Sequence, residues 1–143
     1  MSEILRAIAD TNILVSAICY PNGICARLIT MAIEGKWQLV TSPLILDELD
    51  EVLKRDKFRR FVEIGLSQRF VSNIAILADI INDPTESTVG VTRDPKEDFL
   101  IALTYNSPVE IIISGDKDLL ELKLNEILVY SPTEFLSLLV SNS

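Results

Sequence analysis

Histidine is absent from this chain, and that single absence removes several chemistries at once. Without an imidazole there is no Ser-His-Asp or Cys-His arrangement and no histidine metal site. Catalysis must then rest on carboxylates, hydroxyls, lysine, or a metal held by oxygens. Cysteine is scarce as well. Cys19 and Cys25 are the two in the chain, and the five residues between them are not a metal-clip spacing. Both lie among apolar neighbours and read as buried free thiols of a reducing compartment. Apolar runs stay far short of the ~20 residues of a membrane span. The opening Met-Ser-Glu-Ile-Leu-Arg lacks the basic region and apolar stretch of a secretory signal. A cytoplasmic location with no membrane partner is the expectation.

Positive charge is in short supply. Thirteen Lys and Arg face 21 Asp and Glu, for a formal net charge of −8, and phosphate contacts need bases. The distribution softens that argument. Lys54, Arg55, Lys57, Arg59 and Arg60 fall within one seven-residue window, the chain's concentrated basic patch. It reads either as a solvated helix end or as an RNA-binding surface.

The 143 residues, 48 % of them apolar, suffice for one domain spanning 1–143 with a core of its own. Leu5 to Ala9 is a short apolar run that ends in Asp10-Thr11-Asn12, the pattern of a buried strand delivering a carboxylate to the rim of a sheet. Asn22 is expected to cap a helix through about Glu34, with Ile24, Leu28, Met31 and Ala32 on one face and Gly35 ending it. Trp37 to Val40 reads as a second strand. Ser42-Pro43 opens the next helix, with serine as N-cap and proline in the first helical position. Its predicted buried face is Leu44, Ile45, Leu46, Leu49, Val52 and Leu53. Asp47, Asp50 and Glu51 point away from that face, whereas Glu48 sits on its shoulder, where a carboxylate needs a partner.

Residues 58–81 read as two apolar helical pieces broken near Gly65, serving the core or a subunit contact. Asn82 to Thr92 is loop-like, with a brief strand expected at Val89-Gly90-Val91. Asp94, Pro95 and Glu97 fit an N-cap, a first-position proline and a capping-box partner. Asp98 faces inward by its Ile101 and Ala102 neighbours. Ile111 to Ile113 then runs out into Ser114-Gly115-Asp116-Lys117-Asp118. Gly115 permits a tight turn close to a ligand, and Asp116 is either a site residue or the cap of a helix from Asp118 to Leu122. Ile127 to Tyr130 is a last strand. Ser131-Pro132-Thr133-Glu134 opens a terminal helix through about Val140 with a capping box. Strands alternating with helices imply an α/β fold, a mainly parallel sheet sandwiched between helices.

Four carboxylates are thereby singled out: Asp10 and Asp116 at strand ends, Glu48 and Asp98 inward near helix starts. Converging without basic partners, they would repel one another. A divalent cation resolves this, and an all-oxygen site suits Mg²⁺ or Mn²⁺. Such an ion activates water and orients a phosphodiester. Asn12 and Ser114, each two residues from a strand-end aspartate, are placed to position the carboxylates or the attacking water.

The motifs Asp10-Thr11-Asn12, Ser42-Pro43 through Leu46-Asp47-Glu48-Leu49, Asp94-Pro95-Lys96-Glu97-Asp98 and Ser114-Gly115-Asp116-Lys117-Asp118-Leu119-Leu120 occur in this order. Together they resemble the PIN-domain family, most closely its toxin-type members in bacterial and archaeal toxin–antitoxin systems. The resemblance runs from Ala9 to Leu136. It implies a three-layer α/β/α fold with a sheet of four or five strands, and a metal-dependent endoribonuclease, commonly dimeric and restrained by a small antitoxin. Asp10, Glu48, Asp98 and Asp116 fall on the family's acidic positions, Ser114 on its Ser/Thr and Asp118 on an additional acid. Two other readings compete. A PIN-fold module that binds metal or a partner with little turnover keeps the same four acids. A receiver-like phosphoryl-transfer domain would use an aspartyl nucleophile near Asp10 and a lysine such as Lys117, but the first motif lacks the Asp-x-Asp of the phosphatase pattern.

Overall fold

A computed structural model describes residues 4–84, 95–105, 109–121 and 127–141. In it, β1 (Arg6–Ala9) leads into α1 (Thr11–Cys19) and α2 (Ile24–Ile33). There follow β2 (Gln38–Thr41), α3 (Pro43–Leu53), a 3₁₀ turn at Asp56–Phe58, α4 (Ile64–Leu77) and β3 (Asp79–Ile80). The second half holds α5 (Pro95–Tyr105), β4 (Ile111–Ile113), α6 (Lys117–Glu121), β5 (Leu128–Tyr130) and α7 (Pro132–Ser141). The five strands form one sheet in the order β3-β2-β1-β4-β5, and every pairing is parallel. This is the sandwiched α/β architecture expected, with five strands.

The reason is burial on both faces. A parallel sheet needs helical crossovers, which cover its two sides and leave its central strands dry. Ala7, Ile8 and Ala9 of β1 and Ile112 and Ile113 of β4 are almost wholly buried. Ala7, Ile8 and Ala9 pair in register with Ile111, Ile112 and Ile113. The strand order turns at this β1–β4 pair: the chain runs outward to β2 and β3 on one side and to β5 on the other. In open parallel sheets the carboxyl ends of strands at such a switch point form the ligand crevice. Asp10 and Ser114 directly follow the two strands.

Local signals account for most helix ends. Ile45 N–H reaches Ser42 Oγ at 3.5 Å, with Pro43 opening α3. Ser131 and Glu134 cap α7 reciprocally, at 2.9 and 3.1 Å. At the end of α2, Gly35 adopts φ +80°. There Gly35 N–H bonds Ala32 O and Lys36 N–H bonds Met31 O, a closure that favours glycine.

Several expectations are corrected. Gly23, not Asn22, is the N-cap of α2, and Ile24 is substantially exposed. The helical break expected near Gly65 falls at residues 59–63, between the 3₁₀ turn and α4, with Gly65 itself in the first turn of α4. Leu44 leaves the predicted buried face of α3 and is half-exposed, because that end of the helix borders an open cleft. The two-residue β3 carried no strand signal; it forms because Val40 and Thr41 of β2 offer a free edge to Asp79 and Ile80. The strand expected at 89–91, the Asp94 cap and Leu122 lie outside the described residues.

Opposite the switch point, the indole of Trp37 packs edge-on to Phe135 with centroids 5.0 Å apart, and its Nε1–H donates to Leu28 O at 2.8 Å. This joins β2, α2 and α7. Phe135 is fully buried, so Phe135→Ala is expected to destabilise the chain by about 3–5 kcal/mol. Urea unfolding of the two proteins measures this; a loss below about 1 kcal/mol would contradict the packing.

Candidate active site

Asp10 occupies the N-cap position of α1 without a capping hydrogen bond from its side chain. Its backbone N–H donates to Ile113 O at 3.0 Å, which ties the end of β1 to β4. Ser114 completes the link. Its hydroxyl donates to Asp10 Oδ2 at 3.1 Å and accepts the N–H of Asp116 at 3.1 Å, while its own N–H bonds Tyr130 O at 3.0 Å. One fully buried serine therefore holds the ends of β1, β4 and β5 together and aims the Asp10 carboxylate.

The electrostatics follow from this crowding. The Asp10 carboxyl is held above its ordinary value of 3.8, chiefly because burial disfavours the charged form. The Ser114 hydroxyl and the Asn12 amide act the other way, and the nearby carboxylates of Glu48 and Asp116 add to the rise. Three of the four acids picked out by sequence thus meet electrostatically. Asn12 acts on Asp10 through its backbone N–H, and its side chain is exposed.

Asp116 serves two ends. Its Oδ1 accepts the N–H of Asp118 at 2.9 Å and so caps α6. It also joins Glu97 and Asp118 in a group whose carboxylate oxygens lie within 4.8 Å of one another. Glu97 is not among the four acids singled out from the sequence. Read as a capping-box partner of Asp94, which lies outside the described residues, it is buried, at 5 % exposure. Asp98, on the next position of α5, is half-buried and is not in this group. Adjacent helical residues diverge by about 100°, so the two cannot share one aim. The apolar Leu100 and Ile101, three and four residues beyond Glu97, were the available signal.

Beside these acids lies a cleft of about 300 Å³, bordered by Asp10, Glu48, Leu44, Lys96 and Phe99. Glu48 stands on its wall, and Lys96 Nζ approaches Glu48 Oε1 to 3.3 Å. Gly115 is not needed for its backbone: its φ is not left-handed, and an added Cβ would meet nothing within 4 Å.

The basic window lies elsewhere. Lys54 follows Glu48 by six residues, about 9 Å of helical rise away from the rim. Its ammonium pairs with Asp50 at 2.8 Å. Arg59 donates to Leu53 O at the end of α3. Lys57 and Arg60 lie over the rings of Phe58 and Phe61, and Arg55 is exposed.

Comparison with known proteins agrees with this architecture. A family model described as PIN domain matches residues 6–118. The uncharacterized protein MJ1680 of Methanocaldococcus jannaschii is 32 % identical over 139 residues, covering 90 % of this chain and 86 % of that protein. Among solved structures, PAE2754 from Pyrobaculum aerophilum superposes with a TM-score of 0.66 at 12 % identity, over 96 % of this chain and 90 % of that one. VapBC2 from Rickettsia felis, solved bound to a DNA fragment from its promoter, gives 0.64 at 13 % identity, over 89 % and 98 %. At these identities the solved structures establish likeness of fold.

The raised pKa of Asp10 has a consequence for stability. Between 3.8 and its raised value the folded chain holds the proton more tightly than the unfolded chain, so stability falls as pH rises through that window. In metal-free buffer Asp10→Asn should therefore melt higher than the parent at pH 7, with the gap closing as pH drops below about 3.8. A gap that widens on acidification in thermal scans would refute this assignment.

Proposed function

The chain belongs to the PIN-domain family, and on that premise we propose that it is a metal-dependent endoribonuclease, the cytoplasmic toxin component of a toxin–antitoxin pair. The observation that carries the reading is the gathering of Asp10, Glu48 and Asp116 around one buried carboxylate at the β1–β4 switch point. With the Glu97, Asp116 and Asp118 oxygens close together, the donor set is entirely oxygen. It fits Mg²⁺ or Mn²⁺ rather than a metal that prefers nitrogen or sulfur. Such an ion, when bound, supplies a water of lowered pKa and charge for the leaving oxygen of a phosphodiester.

The chain's own residues then divide the work. Asp10, Glu48 and Asp116 hold the ion, and Ser114 fixes the Asp10 carboxylate from behind. Asp116 remains a ligand while capping α6, because a carboxylate has acceptor capacity for both. On α5 we assign ligation to buried Glu97 and a supporting place at the rim to Asp98. Asp118 closes the set from the first turn of α6. For the RNA strand, Lys54, Arg55, Lys57 and Arg60 offer exposed charge beyond the cleft, whereas Arg59 is committed to the end of α3.

Partners are proposed on the same footing. The toxin-type resemblance implies a restraining partner, and a small antitoxin is the partner we infer here. The same resemblance implies a homodimer, and exposed Ile64, Leu66 and Ile76 of α4 are the apolar side chains on that helix left for such a contact. No single helix among the described residues is long and apolar enough to cross a membrane.

The test is cleavage of a mixed single-stranded RNA with and without Mg²⁺ or Mn²⁺. Activity should require the ion and vanish in Asp10→Asn and Asp116→Ala. Ser114→Ala should lower activity by about 10–100-fold, the usual cost of losing a group that orients a ligand. Glu97→Gln should be far more damaging than Asp98→Asn, and the reverse order would return the ligand role to Asp98. Metal binding without cleavage of any RNA would replace the nuclease by a PIN-fold binding module.

A further inference from the structure

The cleft carries one group that the assignments above leave without a task. Among the described residues that border it, Lys96 is the sole cation, and its Nζ lies 3.3 Å from Glu48 Oε1. The lysine side chain is 71 % exposed and the glutamate 34 %, so the ammonium stands on the open side of the cleft, above the carboxylate. Lys96 comes from the first turn of α5 and Glu48 from α3, 48 residues apart in sequence. The contact is therefore made by the fold, not by helical proximity.

We propose that Lys96 is a substrate-phosphate contact, paired with Glu48 until a divalent cation takes that carboxylate. The inference rests on the nuclease reading and adds to it the residue that receives the strand. An acidic cleft in a chain of net charge −8 repels a polyanion, and a cation at its mouth offsets that repulsion where it matters most. An exposed ion pair is weak and screened by solvent, so it exchanges readily. The ammonium is a point charge on a flexible stem, suited to move from a carboxylate to a phosphate a few ångströms away. Phe99 and the half-exposed Leu44 border the same opening and give it an apolar wall against which a nucleotide can lie.

Two equilibrium titrations test this without reference to turnover. In the first, Mn²⁺ is titrated by calorimetry into the parent chain, Lys96→Met and Lys96→Arg in the absence of RNA. Lys96→Met should bind Mn²⁺ more tightly than the parent, because the Lys96 ammonium no longer competes for Glu48. In the second, a labelled phosphorothioate single-stranded RNA is titrated by anisotropy in Mn²⁺ at several salt concentrations. One lost phosphate contact on a single strand lowers the slope of log K against log salt by about 0.7, which is about fivefold in affinity at 0.1 M salt. Lys96→Met should show that loss and Lys96→Arg should restore it. If Lys96→Met keeps the parent's RNA affinity and salt slope, Lys96 does not contact the strand and the proposal falls while the nuclease reading stands. If the parent chain itself binds neither Mn²⁺ nor RNA, both fall.

Discussion

Like charges gathered in a partly dry place are the constraint from which the rest of this structure follows. Burial disfavours the Asp10 anion, and the carboxylates of Glu48 and Asp116 add to that effect. Locally, the Ser114 hydroxyl and the Asn12 amide offset this only in part. The arrangement persists because β1 and β4 are locked together by apolar burial on both faces and by paired backbone. The stability that tolerates the site is generated several residues away from it, in Ile8, Leu39, Ile112 and the helices that cover them. Sites of this kind trade stability for function.

Ser114 shows how the fold converts sheet register into site geometry. Its backbone belongs to the β4–β5 seam through Tyr130, and its hydroxyl belongs to the β4–β1 seam through Asp10. A shift of one residue in either pairing would turn this side chain to the opposite face. The position of the Asp10 carboxylate is thus set by the same ladder that sets the core, and the two cannot drift independently. The N-terminal end of α1 adds its partial positive charge at the same point.

Much of the fold was legible because its signals were local. Apolar runs ending in acids marked β1 and β4, and the Ser-Pro idioms at Ser42 and Ser131 marked two helix starts by a mechanism that depends on neighbouring residues alone. The misread positions share a different character. Leu44 is apolar at helical spacing yet borders a cleft, which no pattern within α3 reveals. β3 exists because β2 has an open edge. On α5, Leu100, Ile101, Ala102, Leu103 and Thr104 are all buried. A helix buried nearly all round has no polar face against which to tell Glu97 from Asp98.

The sequence by itself determined the chemistry available. Lacking histidine and nearly lacking cysteine, it left oxygen ligands as the means of holding a metal, and its order of strands and helices specified a parallel sheet with acids at the strand ends. Tertiary structure alone decided which acids meet. Asp10 and Asp116 lie 106 residues apart, and they approach only because β1 pairs with β4 instead of remaining at an edge. The contact between Lys96 and Glu48, the burial of Glu97 and the removal of the basic window to the far end of α3 are of the same kind. Each depends on distances between elements, and periodicity along a single element carries no information about those.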